Sequence, residues 1–575
     1  MEFQINKADM RNHYYTNERN HQILISLLKA HGIRYVVASP GTTNSVFVGS
    51  IQNDDYFKIY SAVDERSASY IANGLILKTG EPVIISCTGA TAARNYMSGA
   101  TEAYYSKLPL LIITSSQPSN RIGHLFPQVT DRTSPPNDVC NLSVEMPLVN
   151  NIDDEWECEV QCNRALLELK RHGKGPVHIN LITSYRFSEN TALTCKELPP
   201  VRVINRYFPN DELPKMPIGK VAIFVGSHKV WSSELVKKVE SFCTANNVIV
   251  LADHPSNYNG KYKIPYALVI NQSSINKANK PAFDVDLLVH IGGVTGEEGA
   301  VRMIHSKETW RVSPDGEIRD TFKNLSAVFE MEEEAFFARY SIEGVNRTDY
   351  YRESKEVYDR LVEKRKESQE KMPFSNPWIA GEIASKIPHH SSVVLAILNT
   401  LRTWNYAEFN GLVDVYCPLG GFGIDGATSL ALGVALANKN KLCYCITGDL
   451  AFFYDLNCLG NRSLCSNLRI LLVNNGCGVE FKKTYAMAYR LLGDEVDEYV
   501  AAARHNGNKS NNLIRDFARN LGFEYISASS KEEFEKVYQR FVTPEITDAP
   551  MLFEVFVEAD DECEALNIVH DRKLI

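Results

Sequence analysis

The chain lacks long apolar runs, an apolar leader and any cluster of basic residues. No window of its 575 residues approaches the 18 or so consecutive apolar residues of a membrane span. The first twenty residues are polar and charged throughout, without the apolar core of a signal peptide. The formal net charge is −9, and no basic run is interleaved with aromatic residues, which argues against a nucleic-acid partner. We therefore expect a cytoplasmic protein that acts on small molecules and binds neither membrane nor nucleic acid.

The cysteines lack the spacing that a metal or disulfide framework needs. Thirteen is an odd number, and Cys87, Cys443 and Cys445 lie in apolar stretches where free cysteine packs as a small hydrophobe. Cys158 and Cys162 have no second pair at the spacing of a zinc site. Neither structural zinc nor disulfides are expected.

What the chain does contain is a repeated alternation of short apolar runs and helical stretches. This rhythm predicts parallel sheets with helices on both faces. The length exceeds what one core can organise, and charged stretches at 197–217 and 347–371 indicate a linker and a connecting helix. We predict an α/β protein of three domains, at 1–190, 200–345 and 365–575, each with a mainly parallel sheet flanked by helices. The predicted strands are 35–39, 57–63, 82–89, 109–116, 220–227, 247–253, 285–293, 392–398, 442–446 and 469–473.

The most informative motif is Gly448-Asp449-Leu450 followed by Asn474-Asn475. Each part follows an apolar strand, and helix-forming residues at 453–462 lie between them, so the strands should run parallel. Neighbouring strands lie about 5 Å apart, which lets Asp449 and Asn475 approach one ion at the ligand-binding edge of the sheet. One carboxylate, one carboxamide and a backbone carbonyl suit Mg²⁺. We predict a metal site at Asp449, Asn475 and Cys477; the alternative is a pair of ordinary turns.

Asn475 lies 26 positions after Asp449, and this spacing resembles the enzymes that depend on thiamine diphosphate (ThDP). Their signature is Gly-Asp-Gly and, further on, Asn-Asn; here the third residue is Leu450. The resemblance implies ThDP and Mg²⁺ as cofactors and a pyruvate-decarboxylase-like architecture of pyrimidine-binding, central and diphosphate-binding domains. It also implies active sites between the first domain of one subunit and the third of another, hence a homodimer or homotetramer.

The same resemblance assigns roles to individual residues. Glu65, after a strand and before a helix, is the expected acid at the pyrimidine N1′ atom, with helix capping as the alternative. Ile424, in the glycine-rich turn 421–426, is the expected wedge beneath the bent cofactor. Asn399 and Thr400 are expected to contact the diphosphate, with a simple turn as the alternative. The predicted cofactor-binding residues are Glu65, Asn399, Thr400, Gly423, Ile424, Gly448, Asp449, Leu450, Ala451 and Asn475.

Within the family, the segments PGTTNS (40–45), DERSA (64–68) and GDLAFFYDLNCL (448–459) look like those of the SEPHCHC synthases. The arginines with which those enzymes clamp anionic substrates are absent, because Thr43, Gln117 and Leu419 stand in their places. Glu297-Glu298 stands where a Lys-Arg pair is expected. Since each lost charge-assisted pair costs about 1.5 to 3 kcal/mol of binding, we expect a different product.

The remaining candidates near the expected pocket are mostly neutral. Gln128 matches a substrate-side glutamine, and Glu480 follows Asn475 at nearly the offset of an acid in related decarboxylases, so both are predicted to be catalytic. For Glu480 the alternative is an ordinary acid in a first helical turn, and for Gln128 a surface loop residue. Thr43, Asn44, Gln117 and His124 complete the polar set.

The sequence therefore predicts decarboxylation of a small 2-oxo acid and transfer of the acyl carbanion to an acceptor carbonyl, such as a ketosugar or another neutral ketone. Simple non-oxidative decarboxylation and a catalytically silent scaffold or regulatory protein of the ThDP fold are the alternatives. Bound FAD stays open, because no residue pattern decides it.

Overall fold

The computed structural model describes residues 14–132, 134–186, 188–272, 281–341, 349–505 and 510–572. It divides the chain into two compact units, one of Met1–Arg206 with Ile318–Val328 and one of Tyr207–Glu317 with Phe329–Ile575. Two short strands, Asn205–Tyr207 and Leu325–Phe329, span the boundaries between the units along the chain. The division into three domains stays a prediction.

The first unit contains a six-stranded sheet in which all neighbours run parallel. One face packs on the helices Arg19–Ala30 and Ile152–Glu168, and the other on Glu65–Thr79 and Met97–Tyr105. In spatial order the strands are Lys58–Ser61, Tyr35–Ala38, Val83–Thr88, Leu110–Ser116, Val177–Ile182 and Leu142–Met146. Shorter elements are the helices Ser45–Ile51 and Ala92–Asn95, the 3₁₀ turns Ser119–Arg121 and Arg171–Gly173, and an antiparallel pair, Tyr15–Thr16 with Leu193–Cys195.

The second unit contains parallel strands from the middle of the chain, most of whose residues are buried. In spatial order they are Lys263–Pro265, Ile249–Ala252, Val221–Val225, Phe283–Ile291 and Ile304–Val312. The helices here are Ser233–Asn246, Tyr266–Ile270, Gly299–Met303, Glu333–Tyr340 and Tyr350–Ser368, with 3₁₀ turns at His254–Ser256 and Gln369–Lys371.

The last third of the chain, in the same unit, forms a six-stranded parallel sheet. Its strands in spatial order are Asp414–Tyr416, Ser392–Leu395, Cys443–Gly448, Leu468–Asn474, Met551–Phe556 and Glu524–Ala528. Its helices are Asn376–Ile383, Asn399–Trp404, Ala427–Ala437, Asp449–Tyr454, Met487–Leu492, Val496–Tyr499, Leu513–Asn520, Lys531–Phe541 and Ala559–Val569. The 3₁₀ turns are Ala384–Lys386, Leu456–Gly460, Val479–Phe481 and Gly493–Glu495.

These sheets confirm the predicted α/β class, and every predicted strand is present within a few residues of its expected position. The helix expected at 453–462 is displaced: it begins at Asp449, directly at the end of its strand, and 3₁₀ geometry follows at Leu456–Gly460. The helix ends before Asp455, whose carboxylate accepts hydrogen bonds from the backbone and hydroxyl of Ser429 at 2.5 Å. The start of the charged helix expected from 347 lies outside the described residues, and its described part is Tyr350–Ser368.

Candidate active site

Asp449 lies against the loop that carries Asn475. The strands before them are paired in parallel with Gly448 opposite Val473, so both chains leave the sheet at the same edge. Asp449 is 3% exposed, and its carboxyl group accepts hydrogen bonds from the backbone N–H groups of Leu450 and Gly476. Gly476 has φ +72°, a conformation that suits glycine and that turns its N–H toward the carboxylate. The predicted proximity of residues 449 and 475 is therefore present.

The electrostatics of Asp449 favour a cation. Burial raises the pKa of Asp449 to about 7, and the neighbouring carboxyl of Glu562 contributes to the rise, while the backbone hydrogen bonds oppose it. Glu562 is fully buried, and burial raises its pKa to about 7 as well. Two neighbouring buried carboxyl groups, both with raised pKa values, form a site that a divalent cation would stabilise.

The other predicted ligands present oxygen. The Oδ1 atom of Asn475 accepts a hydrogen bond from the backbone N–H of Cys477 at 3.1 Å and keeps a second lone pair free. Burial raises the pKa of the Cys477 thiol to about 12, so the thiolate is not available and only the backbone carbonyl of this residue can serve a hard ion. An oxygen set of this kind fits Mg²⁺. In the described part of the chain no cluster of three His, Cys, Asp or Glu side chains suggests another metal.

Asn399 and Thr400 begin the helix Asn399–Trp404, which follows the strand beside that of Asp449. Thr400 is buried, and the Nδ2 atom of Asn399 donates to Oε2 of Glu562 at 3.0 Å. The Oδ1 atom of Asn399 and the Oε1 atom of Glu562 are both buried without a hydrogen-bond partner among the described residues. These unsatisfied acceptors match a cation or its bound waters better than the diphosphate contact expected for Asn399, because phosphate oxygens are themselves acceptors.

Ile424 lies at the same edge of the sheet. It packs against Ala396, Ala427 and Ala451, which together form a small apolar cluster beside Asp449. Ile424 remains partly exposed, as do Gly448, Leu450 and Gly423, so an aliphatic surface borders the carboxylate pair. The wedge role of Ile424 stays a prediction.

Glu480 is held by two cations. Its carboxylate oxygens lie 2.6 Å from Nη1 of Arg402 and 2.8 Å from Nζ of Lys483. Burial alone would raise the pKa of Glu480, but Lys483 and Arg402 lower it below its ordinary value. Glu297, 3% exposed, also lies near Arg402 and raises the pKa of that guanidinium. The result is an ionised, compensated cluster, in which Glu480 is better suited to electrostatic positioning than to proton donation.

In the first unit, Glu65 is the first residue of the helix Glu65–Thr79. The cap of this helix is Asp64, whose Oδ1 accepts from the N–H of Arg66 at 3.0 Å, so capping does not engage Glu65. The Glu65 carboxyl accepts from Nδ2 of Asn95 at 3.2 Å and stays partly exposed. It is free to meet a ligand.

The polar candidates of the first unit fall into two groups. Three are buried and bonded to nearby backbone oxygens: Thr43 to Ser115 at 2.7 Å, Asn44 to Ser39 at 2.8 Å and Gln117 to Pro127 at 3.2 Å. His124 and Gln128 are exposed, and Gln128 has φ +62°. The catalytic assignment of Gln128 stays a prediction.

One residue of the site, Glu562, was not among the sequence candidates. It lies in an acidic stretch, Glu558–Glu564, that looks like the solvated first turn of a helix. Only its complete burial separates it from neighbours such as Asp560, whose side chain is 93% exposed.

Known proteins resemble this chain over most of its length. Residues 19–134 match the family model described as thiamine pyrophosphate enzyme, N-terminal TPP binding domain, where thiamine pyrophosphate is another name for ThDP. The chain is 30% identical, over 96% of its own length and 98% of the relative's, to the 2-succinyl-5-enolpyruvyl-6-hydroxy-3-cyclohexene-1-carboxylate synthases of Bacteroides fragilis and Phocaeicola vulgatus. It is 28% identical to that of Flavobacterium johnsoniae over 80% of this chain and 84% of the relative.

The chain therefore belongs to the family of ThDP-dependent enzymes. Its cofactors are ThDP and a divalent metal such as Mg²⁺, as predicted. Among the described residues no helix is both long and apolar enough to cross a membrane.

Proposed function

We propose that this protein decarboxylates a small 2-oxo acid and transfers the acyl unit to the carbonyl group of a neutral acceptor. The observation that carries the proposal is the buried Asp449 carboxyl, which lies against the Asn475 loop and forms no ion pair with a lysine or arginine among the described residues. Asp449, Asn475 and the carbonyl of Cys477 would hold the metal. ThDP, when bound, supplies the electron sink that decarboxylation requires.

The chain's own residues contribute position and proton transfer. Glu65 is proposed to hydrogen-bond the pyrimidine N1′ atom and to exchange a proton there. Ile424, supported by the alanine cluster behind it, is proposed to fix the bend between the two cofactor rings. Leu450 and Ala451 line the same edge and exclude water from the reacting centre.

We further propose that each active site joins Glu65 of one subunit with Asp449 of another. The helix that begins at Glu65 supports this, because it exposes apolar side chains that a monomer would leave in water. On the helix, Leu77 is 71% exposed and Tyr70 and Ile71 are also exposed, and Val63, just before the helix, is 80% exposed. An exposed apolar face of this kind is typical of an interface between proteins.

A neutral acceptor is favoured because the cations beside the site are already paired. Arg402 and Lys483 share the Glu480 carboxylate, and Glu297 adds a second negative charge next to Arg402. Together with Thr43, Gln117 and Leu419 in place of arginines, this leaves little free positive charge for a dicarboxylate.

Turnover with defined substrates tests the proposal. Purified protein loaded with ThDP and Mg²⁺ is given a panel of 2-oxo acids, with and without neutral ketones, and CO₂ and products are measured. We expect CO₂ release and a ligated product that depends on the ketone. Aldehyde as the product at every ketone concentration would instead identify a simple decarboxylase. ThDP binding without any turnover would identify a catalytically silent protein.

A further inference from the structure

Glu562 is a buried carboxylate with an unusual set of partners. It lies on the helix Ala559–Val569 and is 0% exposed. Within the described residues no lysine or arginine forms an ion pair with it. Its Oε2 atom accepts a hydrogen bond from the Asn399 amide at 3.0 Å, and the side-chain amide of Asn475 and the backbone N–H of Asn376 oppose the rise in its pKa. None of these groups neutralises the charge, and the Oε1 atom is buried without a hydrogen-bond partner among the described residues.

The two side-chain amides acquire a defined orientation from this arrangement. A carboxylate only accepts hydrogen bonds, so both asparagines must turn their NH₂ groups toward Glu562 and their oxygens away from it. The Asn475 oxygen consequently meets the N–H of Cys477 at 3.1 Å. The Asn399 oxygen is buried without any partner among the described residues, which indicates a missing ligand.

We propose that Glu562 is a positioning residue, which orients the amides of Asn399 and Asn475 so that both oxygens face the divalent cation or its bound waters. The inference rests on the proposed cofactor site and extends it, since it adds Asn399 to the metal side of that site. Groups behind the direct ligands of a metal commonly orient those ligands, and their loss costs roughly 10- to 100-fold in metal affinity.

The variant Glu562→Gln tests this directly. Glutamine offers one acceptor oxygen and one NH₂ group, so the NH₂ groups of both asparagines would have to share a single acceptor, or one asparagine would have to rotate. We expect Mg²⁺ to bind this variant roughly 10- to 100-fold more weakly, measured by calorimetric titration of Mg²⁺ into protein with saturating ThDP. Glu562→Asp keeps an acceptor-only group but shortens it, and should give an intermediate affinity.

A matched control exists on the same sheet. Glu554 is only 1% exposed, and its carboxylate accepts hydrogen bonds from the amide of Asn474 at 2.8 Å and from the hydroxyl of Tyr525 at 2.8 Å. Glu554→Gln makes the same chemical change at the partner of Asn474, the residue before Asn475, and it should leave the Mg²⁺ affinity unchanged.

The outcomes separate this inference from the function it rests on. If Glu562→Gln binds Mg²⁺ as tightly as the wild type, or loses no more affinity than Glu554→Gln, the positioning role is wrong. If the wild type itself shows no Mg²⁺-dependent uptake of ThDP, the proposed function is wrong. If Glu562→Gln fails to fold, the Mg²⁺ affinity of Glu562→Asp tests the positioning role instead. An affinity equal to that of the wild type would overturn that role.

Discussion

The carboxyl group of Asp449 accepts a hydrogen bond from the backbone N–H of Gly476, the residue that follows Asn475. This bond joins the ends of two parallel strands, Cys443–Gly448 and Leu468–Asn474. It places a buried negative charge beside a carboxamide oxygen. The buried carboxylate destabilises the fold as long as no cation binds beside it. Such an arrangement is typical of a cation-binding site.

Asp449→Asn should therefore separate stability from cofactor binding. Removing an uncompensated buried charge should raise the melting temperature of the cofactor-free protein. It should also weaken Mg²⁺-dependent binding of ThDP by about 1.5 to 3 kcal/mol, roughly 10- to 150-fold. Differential scanning fluorimetry and calorimetry measure the two effects. Asp414→Asn, which removes an acid paired with Lys441 on the same sheet, should leave ThDP affinity unchanged, and a loss as large as that of Asp449→Asn would contradict the assignment.

The sequence could predict Asp449 and Asn475 because their signal is local. Each directly follows a strand, and strand-helix-strand connectivity brings the two strand ends to one edge of the sheet. Glu562 and Arg402 have no such signal. Arg402 meets Glu480 across 78 positions, and Glu562 reaches the site only because a helix near the end of the chain packs there. The sequence therefore could not show that Glu480 is paired or that a second carboxylate lies beside Asp449.

For Glu65 as well, the sequence leaves open which of two roles the residue has. The pattern Asp64-Glu65 predicts both a helix start and an acid, but it does not say which residue caps the helix. In the structure Asp64 caps the helix, because its side chain accepts a hydrogen bond from the N–H of Arg66. The Glu65 carboxyl is therefore not used for capping and can contact a ligand.

Glu65→Gln should abolish activation of the cofactor without unfolding the protein. A glutamine amide cannot exchange a proton with the pyrimidine N1′ atom, so exchange of the C2 proton of bound ThDP should slow by roughly 10²- to 10⁴-fold. Proton exchange followed by NMR, with ThDP affinity measured in parallel, tests this. Glu81→Gln, an acid paired with Arg34 in the same unit, is the control and should exchange like the wild type. If Glu65→Gln lowered the melting temperature but left the exchange of the C2 proton unchanged, Glu65 would have a structural role instead.

The buried histidine His178 should make the folded protein less stable in mild acid. The His178 ring lies between the hydroxyls of Thr114 and Ser143, at 2.7 and 2.8 Å, and burial lowers its pKa to about 3. The unfolded chain binds a proton near pH 6.5 whereas the folded chain does not, so this histidine favours unfolding as the pH falls below 6.5.

Between pH 7.5 and 5.5 the effect should be about 1.4 kcal/mol for this one group. Urea unfolding at both pH values should show a smaller loss of stability in His178→Gln than in the wild type. The control His305→Gln removes a histidine that is exposed on the surface, so it should leave the effect of the buried His178 ring in place. Equal pH dependence in His178→Gln and the wild type would contradict the assignment of a neutral buried ring.

Glu480→Gln distinguishes the two roles open to that residue. If its carboxylate holds Arg402 and Lys483 in place, its removal leaves two buried like charges without their shared partner, and the free energy of unfolding should fall by about 3 to 5 kcal/mol. If it donates a proton instead, turnover should fall while stability changes little. Glu382→Gln breaks the more exposed pair with Lys386 and should cost less than about 1 kcal/mol. Because burial and both cations act on the same carboxylate, we expect the large loss of stability, and an unchanged unfolding curve in Glu480→Gln would restore the proton-transfer role.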